Sequence, residues 1–227
     1  MSHVLAVANP RTGSGKTTTV AGLALQFVEL GQSVLVVDLD PHASLTTRFG
    51  IDAEQLDASV YDVIMLGTRA LDVMVDTESN IDVLPAALEL SGVETALVTR
   101  SGREQLLRDA LRSIRDDYDW IIVDCASSLG ILAQNGLSIA DELIIPMNEY
   151  SERATSQLLE ADAEIQKYVN PELRIRGVLQ TNADTVATRQ IATAVREHHD
   201  VPVLGAIPHG SRASAAYREL ALTLLQK

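Results

Sequence analysis

Six consecutive residues, Gly13-Ser14-Gly15-Lys16-Thr17-Thr18, have the types and order that bind phosphate. Glycines let successive amides turn toward one point, and a helix N-terminus just beyond adds positive potential. In such a loop Lys16 reaches the β- and γ-phosphates of a nucleotide, Thr17 holds Mg²⁺ and Thr18 bonds the α-phosphate. The usual spacing is G-x-x-x-x-G-K-[ST], and counting back from Gly15 puts Pro10 where the first glycine belongs, with Arg11 beside it. Three carboxylates complete the set. Asp38 and Asp40 close one apolar run, "SVLVVDLD", and Asp124 closes another, "WIIVDCA". Carboxylates at strand C-termini of an open α/β sheet face the ligand crevice, where they meet Mg²⁺ directly or through its waters.

The elements that must position these groups alternate in character. Short β-branched runs predict strands over residues 3–9, 33–40, 81–86, 120–126, 141–147, 174–182 and 201–208. Between them lie helical patterns, clearest at 16–31, where Val20, Leu23, Ala24, Phe27 and Leu30 share a face and Gly31 closes the helix. Others are predicted at 101–115, 151–169, 187–198 and 213–226. Strand and helix in turn predict a doubly wound α/β fold, its sheet mostly parallel with helices on both faces. No repeat, low-complexity tract or linker interrupts the pattern, so residues 1–227 are expected to form a single phosphate-loop domain.

Composition narrows the function. With 227 residues, 46% of them hydrophobic, the chain can bury a core. Cys125 is the only cysteine, which excludes an internal disulfide and a CxxC metal site and fits a reducing cytosol. The net charge of −13 argues against a surface basic all over, leaving only a local patch for nucleic acid. Only two Phe, one Trp and five Tyr are present, so stacking of bases on aromatic platforms is not expected. No apolar run reaches membrane-span length, and the N-terminus has no signal-peptide layout.

The order of these motifs resembles the ParA/MinD family of deviant Walker ATPases, and its ParA partition branch above all. Arg11-Thr12-Gly13-Ser14-Gly15-Lys16-Thr17-Thr18 aligns with that family's K-G-G-x-G-K-T-[TS]. "DLDPHASLT" is similar to its D-x-D-P-Q motif with His42 for Gln, and "IIVDCASSLGILAQNGLSIADELIIPMNEY" to its Walker B region, with Ala126-Ser127 where a Pro pair is usual. "IDVLPAALELSGVE", "GVLQTNAD" and "GAIPHGSRASAA" extend the likeness over nearly the whole chain. The resemblance implies ATP and Mg²⁺ as ligands and a nucleotide-sandwich homodimer in the ATP state. It makes Arg11 the signature cation reaching the partner's nucleotide, and Asp40 the carboxylate that positions the attacking water. Asp38, Asp124 and Thr17 organise the metal, and Asn182 with Ile207, Pro208, His209 and Gly210 walls the adenine. Thr12 in place of glycine adds a Cβ at a position where a positive φ would be strained.

The family role is partition: non-specific DNA binding by the dimer, hydrolysis stimulated by a ParB-like centromere-binding protein, and a cytoplasmic, nucleoid-associated location. Candidate DNA contacts are Arg189, Arg212 and Arg218, set against the plainer expectation of three solvated surface arginines. The sequence begins at the first strand, so no N-terminal DNA-reading extension is expected. Rival readings are weaker. A GTPase needs lysine where Asn182 stands in "TNAD", Asp184 then being a turn residue. An iron–sulfur carrier needs more cysteines. The tail "YRELALTLLQK" has few basic residues and no large aromatic anchor, which argues against a MinD-like membrane helix. The leading alternative is still a MinD-like membrane-cycling positioning ATPase, followed by a small-molecule kinase with Asp40 as base.

Overall fold

Strands buried on both faces read as unbroken apolar runs, and the three richest runs form the middle of the sheet. They are β1 (His3–Val7), β2 (Val34–Asp38) and β5 (Trp120–Asp124), with β2 and β5 buried at every position. This computed structural model describes the chain except residues 1, 184–189, 191–192, 194, 196–198 and 227. The remaining strands are β3 (Val75–Asp76), β4 (Asp82–Leu84), β6 (Glu142–Met147), β7 (Arg174–Thr181) and β8 (Val203–Ile207). The eight-stranded order is β3-β4-β2-β5-β1-β6-β7-β8, parallel throughout except for the β3–β4 pair. Every strand predicted from the sequence is present. β3 was not predicted, because two residues show no periodicity.

The period-2 alternation of β1 feeds two cores. Leu5 and Val7 face α1 (Lys16–Glu29) and the C-terminal helix, labelled α9 (Ala213–Leu225), around Leu23, Phe27, Leu220 and Leu224. Phe27 stacks on Trp120 with ring centroids 4.2 Å apart. Val4 and Ala6 face the other layer, which holds α3 (Val60–Leu66), α5 (Leu106–Leu111), α6 (Ile131–Ile139), α7 (Glu152–Glu160) and α8 (Asp162–Tyr168). The short helices α2 (Ser44–Arg48) and α4 (Val93–Ala96) follow β2 and β4.

Helix α1 starts at Lys16 as predicted, and it ends where Gly31 turns left-handed at φ 81°. The helix predicted over 101–115 is instead broken. The buried Asn135 side chain accepts from Leu107 N at 3.0 Å and donates to Arg103 O at 2.8 Å, taking both groups out of a continuous ladder. Only α5 and flanking 3₁₀ turns remain. The stretch 151–169 divides at Ala161 into α7 and α8. The helix predicted at 187–198 lies largely outside the described residues. No described helix is long and apolar enough to cross a membrane.

Candidate active site

Asn9 fixes where the chain leaves β1. Its buried amide donates to Pro146 O and Thr155 Oγ1, both at 2.9 Å, and its Oδ1 accepts from Arg11 N at 2.9 Å. The next carbonyls are fastened from outside the turn. Gly13 O accepts from Asn148 Nδ2 at 2.8 Å, and Ser14 O from Thr181 Oγ1 at 2.7 Å. Left-handed backbone falls on Gly13 (φ 77°) and Gly15 (φ 99°), whereas Thr12 keeps a negative φ, so its Cβ costs nothing. At Gly15 a Cβ would stand 2.8 Å from Thr181 Cγ2, so only glycine lets the loop lie this close to β7. The result is a turn whose carbonyls are tied back, opening onto the N-terminus of α1, whose first amides have no partner within the helix.

Lys16 is only 5% exposed, and burial pushes its pKa down while Asp124 and Asp40 oppose that shift. Its Nζ donates to Ser127 Oγ at 2.8 Å and to Arg11 O at 3.1 Å. Thr17 Oγ1 donates to Asp124 Oδ2 at 2.6 Å. Asp38 and Asp124 are register partners on β2 and β5, so two buried carboxyls lie side by side. Burial raises Asp38 to about 6 against its hydrogen bonds from Thr46 and Asp40. Burial, then the charge of Asp38, raises Asp124 well above the usual range. Two such carboxyls favour a proton or a cation between them. Asp124 Oδ1 and Ser14 Oγ are buried without a hydrogen-bond partner. Among the described residues no three acidic, His or Cys side chains converge on a metal position. A cation beside Asp124 would therefore draw on the Thr17 hydroxyl, phosphate oxygens and water, which is how Mg²⁺ is commonly held. The donor set fits Mg²⁺ with a nucleotide phosphate.

Asp38 itself is immobilised. Its Oδ2 accepts from Thr46 N and Oγ1 at 2.9 and 2.8 Å, and Thr46 Oγ1 accepts from Ala86 N at 2.9 Å. Asp40 Oδ1 accepts from His42 N at 3.0 Å and lies 2.8 Å from His42 Nδ1.

A cleft of about 710 Å³ gathers Thr12, Gly13, Gly15, Lys16, Thr17, Thr18, Asp40, Asn182 and Ile207 to Gly210. Ser14, Asp38 and Asp124 lie behind its wall rather than on it. Asn182 stands at the end of β7 with φ 53°, exposed toward the cleft. Arg11, next to Thr12 on the loop, is exposed and is not part of the cleft lining, and its guanidinium has no ion-pair partner among the described residues. The cleft also draws in Ser127, Thr181, Arg48 and Tyr217, none of which the sequence marked as functional. A hydroxyl three residues beyond the Asp124 strand end was the available signal for Ser127.

The candidate DNA contacts are less concentrated. Arg212 occupies the N-cap position of α9 without a side-chain capping bond, and Arg218 lies six residues on, roughly 120° around the helix axis. Arg218 Nη1 is 3.3 Å from Glu29 Oε2 in an exposed pair. Arg189 and Asp184 lie outside the described residues.

A parallel sheet, a glycine turn feeding a helix N-terminus and a lysine facing strand-end aspartates define the P-loop class of nucleotide-binding proteins. The family model described as "AAA domain" matches residues 2–175. The chain is 36% identical over 222 residues to the sporulation initiation inhibitor protein Soj of Bacillus subtilis, covering 95% of this chain and 88% of Soj. It is equally identical to the chromosome partitioning protein ParA of Caulobacter vibrioides, over 94% of this chain and 83% of that one. A cobyrinic acid a,c-diamide synthase from Mycobacterium smegmatis, solved with ADP and magnesium, superposes with a TM-score of 0.95 at 38% identity, over 100% of this chain and 95% of that one. A plasmid partition protein from Borrelia burgdorferi shares the fold, with a TM-score of 0.83 at 22% identity over 99% and 98% of the two chains. The chain belongs to the ParA/MinD family of P-loop NTPases.

Proposed function

We propose that this protein is a partition-type ATPase acting as one domain, closing into an ATP-dependent homodimer that holds DNA without sequence preference. The observation that carries the reading is that Lys16, Thr17 and Asp40 line one cleft, with Asp124 bonded to Thr17 behind its wall and Arg11 exposed on the same loop. Bound Mg-ATP supplies the β–γ phosphoanhydride that is hydrolysed. Lys16 neutralises charge on the transferred phosphoryl group, and Arg11 does so for the partner protomer's nucleotide. Arginine in place of lysine presents a planar fork able to bond two oxygens at once. Thr17 and Asp124 hold Mg²⁺, and Asp38, pinned by Thr46, fixes the strand end beside them. Asp40 orients the attacking water and takes its proton on a carboxylate oxygen. Asn182 and residues 207–210 wall the adenine.

The dimer would bind DNA through Arg212 and Arg218, joined by Arg189, and meet a ParB-like centromere-binding protein that speeds hydrolysis. Its place would be the cytoplasm, on the nucleoid. Set roughly 120° apart on α9, Arg212 and Arg218 do not share one helix face, so a protomer alone offers scattered charges and symmetry must supply the second half. DNA binding should therefore require ATP and weaken steeply with salt. Fluorescence anisotropy on two unrelated duplexes, with ATP and with ADP, tests this alongside sedimentation of the protein alone. Charge reversal at Arg212 or Arg218 should abolish binding. Equal affinity in ATP and ADP, or a monomer in ATP, overturns the reading.

The 38% identity to a cobyrinic acid a,c-diamide synthase raises a second reading, an ATP-consuming synthase with an acid acceptor. A cleft of about 970 Å³ adjoins Asp40 through Pro41 and His42, but Asp52, Glu54, Asp57, Asp62 and Glu89 line it. That wall repels a carboxylic acid. ATP turnover that appears only when such an acid is added would favour the synthase.

A further inference from the structure

The hydroxyl of Ser127 joins two groups that the proposed chemistry uses separately. Lys16 Nζ donates to it at 2.8 Å, and it lies 3.4 Å from Asp40 Oδ2. An ammonium can only donate, so Ser127 Oγ accepts from Lys16 and its single proton is left for Asp40. The direction Lys16 to Ser127 to Asp40 is therefore fixed by chemistry. Asp40 is held from both sides, Oδ1 by His42 and Oδ2 by Ser127. Ser127 also lines the nucleotide cleft, and it follows directly from the β5 strand that presents Asp124.

We propose that Ser127 is a positioning residue for hydrolysis. Resting on the assignment of Asp40 as the water-orienting carboxylate, it sets the rotation of that carboxylate while giving Lys16 a local partner. His42 alone leaves Asp40 Oδ2 free to turn, because Oδ1 is then the single point of restraint. Ser127 removes that freedom from within the cleft, where the water must stand. A residue that merely tied the loop 125–130 in place would show a different signature, since the same loop borders Lys16 and Thr17 and its loosening would weaken nucleotide binding.

The test is S127A beside S127T, with D40A as the control for the parent assignment. Calorimetry gives the ATP dissociation constant, steady-state turnover gives kcat, and thermal unfolding checks that each variant is folded. Removing one charge-assisted hydrogen bond from a positioned group predicts a kcat loss on the order of tenfold. The dissociation constant for ATP should stay within about twofold, because Lys16 keeps the Arg11 carbonyl as local partner. S127T, which retains a hydroxyl on Cβ, should recover most of the loss. A folded S127A with unchanged kcat, or one losing ATP affinity in parallel with kcat, overturns the proposal. A D40A protein that hydrolyses ATP normally overturns the parent assignment instead. An inactive D40A with a fully active S127A removes Ser127 alone.

Discussion

Replacing Gly22 by alanine sets two well-measured effects against each other. Gly22 lies in α1 where α9 crosses it, and a Cβ built there would stand 2.5 Å from Tyr217 Cδ2 and Cε2 and 2.8 Å from Cγ. Tyr217 is 3% exposed, and the clash reaches Cγ at the root of the ring, so rotating the ring about its own axis gives no relief. Restoring ordinary carbon contact needs the two helices to separate by roughly 1 Å. Overpacking of this kind costs about 1–3 kcal/mol. Alanine in a helix interior returns about 1 kcal/mol relative to glycine. Gly22→Ala should therefore destabilise by about 1 kcal/mol, read as a lower urea midpoint with unchanged slope. Tyr217→Ala costs about 3–5 kcal/mol by itself, and in that background the clash is gone. There Gly22→Ala should stabilise by about 1 kcal/mol, a change of sign. Equal effects in the two backgrounds would refute the packing argument, as would a wild-type background stabilised by the alanine.

Arg11→Ala should keep ATP affinity, which rests on the local loop, and lose both dimerisation and hydrolysis; Arg11→Lys should retain much of both, as followed by calorimetry and sedimentation. Asp40→Ala should bind ATP and accumulate a long-lived dimer, and a variant unable to bind ATP would make Asp40 structural. Thr46→Val strips Asp38 Oδ2 of a hydroxyl donor and Ala86 N of its acceptor, and should cost about 2–4 kcal/mol in urea unfolding, with Thr46→Ser largely spared. Burial pushes the Cys125 thiol up from 9.0 to about 12, so native protein should resist alkylation at pH 8, labelling only as fast as it unfolds. Because the folded thiol holds its proton longer than the unfolded one, this group's contribution to stability falls as pH rises from 9 to 12. Cys125→Ala should flatten that alkaline limb.

The parts legible in the sequence share a physical cause. Strands buried on both faces have to be continuous apolar runs, and a phosphate turn has to show its glycines and lysine, so β1, β2, β5 and the loop 11–18 stood out. Helix α6, by contrast, is buried almost all round, leaving no polar face to set a 3.6-residue period. Helix α3 did carry a readable start, the capping box of Ser59 and Asp62, yet its seven residues are too few for a convincing stripe. The break at 101–115 depends on Asn135, some thirty residues away, and no local pattern encodes a partner at that distance. Nothing in the residue types marks the division at Ala161, alanine being the best helix former. Ser127 drew notice only as a departure from a Pro pair, since its partners Lys16 and Asp40 meet only in the folded chain.

The sheet order divides the cleft's two ends unequally. The end with the glycine turn hangs from β2, β5 and β1, interior strands paired on both sides, whereas the end with Asn182 and residues 207–210 hangs from β7 and from β8, which closes one edge of the sheet. Two of the five β8 residues are exposed and only one is buried. Opening free energies grade from near zero at frayed edges to the global value at the centre of a sheet. Amide hydrogens of β8 should thus exchange by local opening long before those of β5, which wait for the whole molecule. Peeling the edge strand would loosen the Asn182 end of the cleft while the glycine turn stays anchored; on the proposed placement of the adenine, a nucleotide should leave by its base end first.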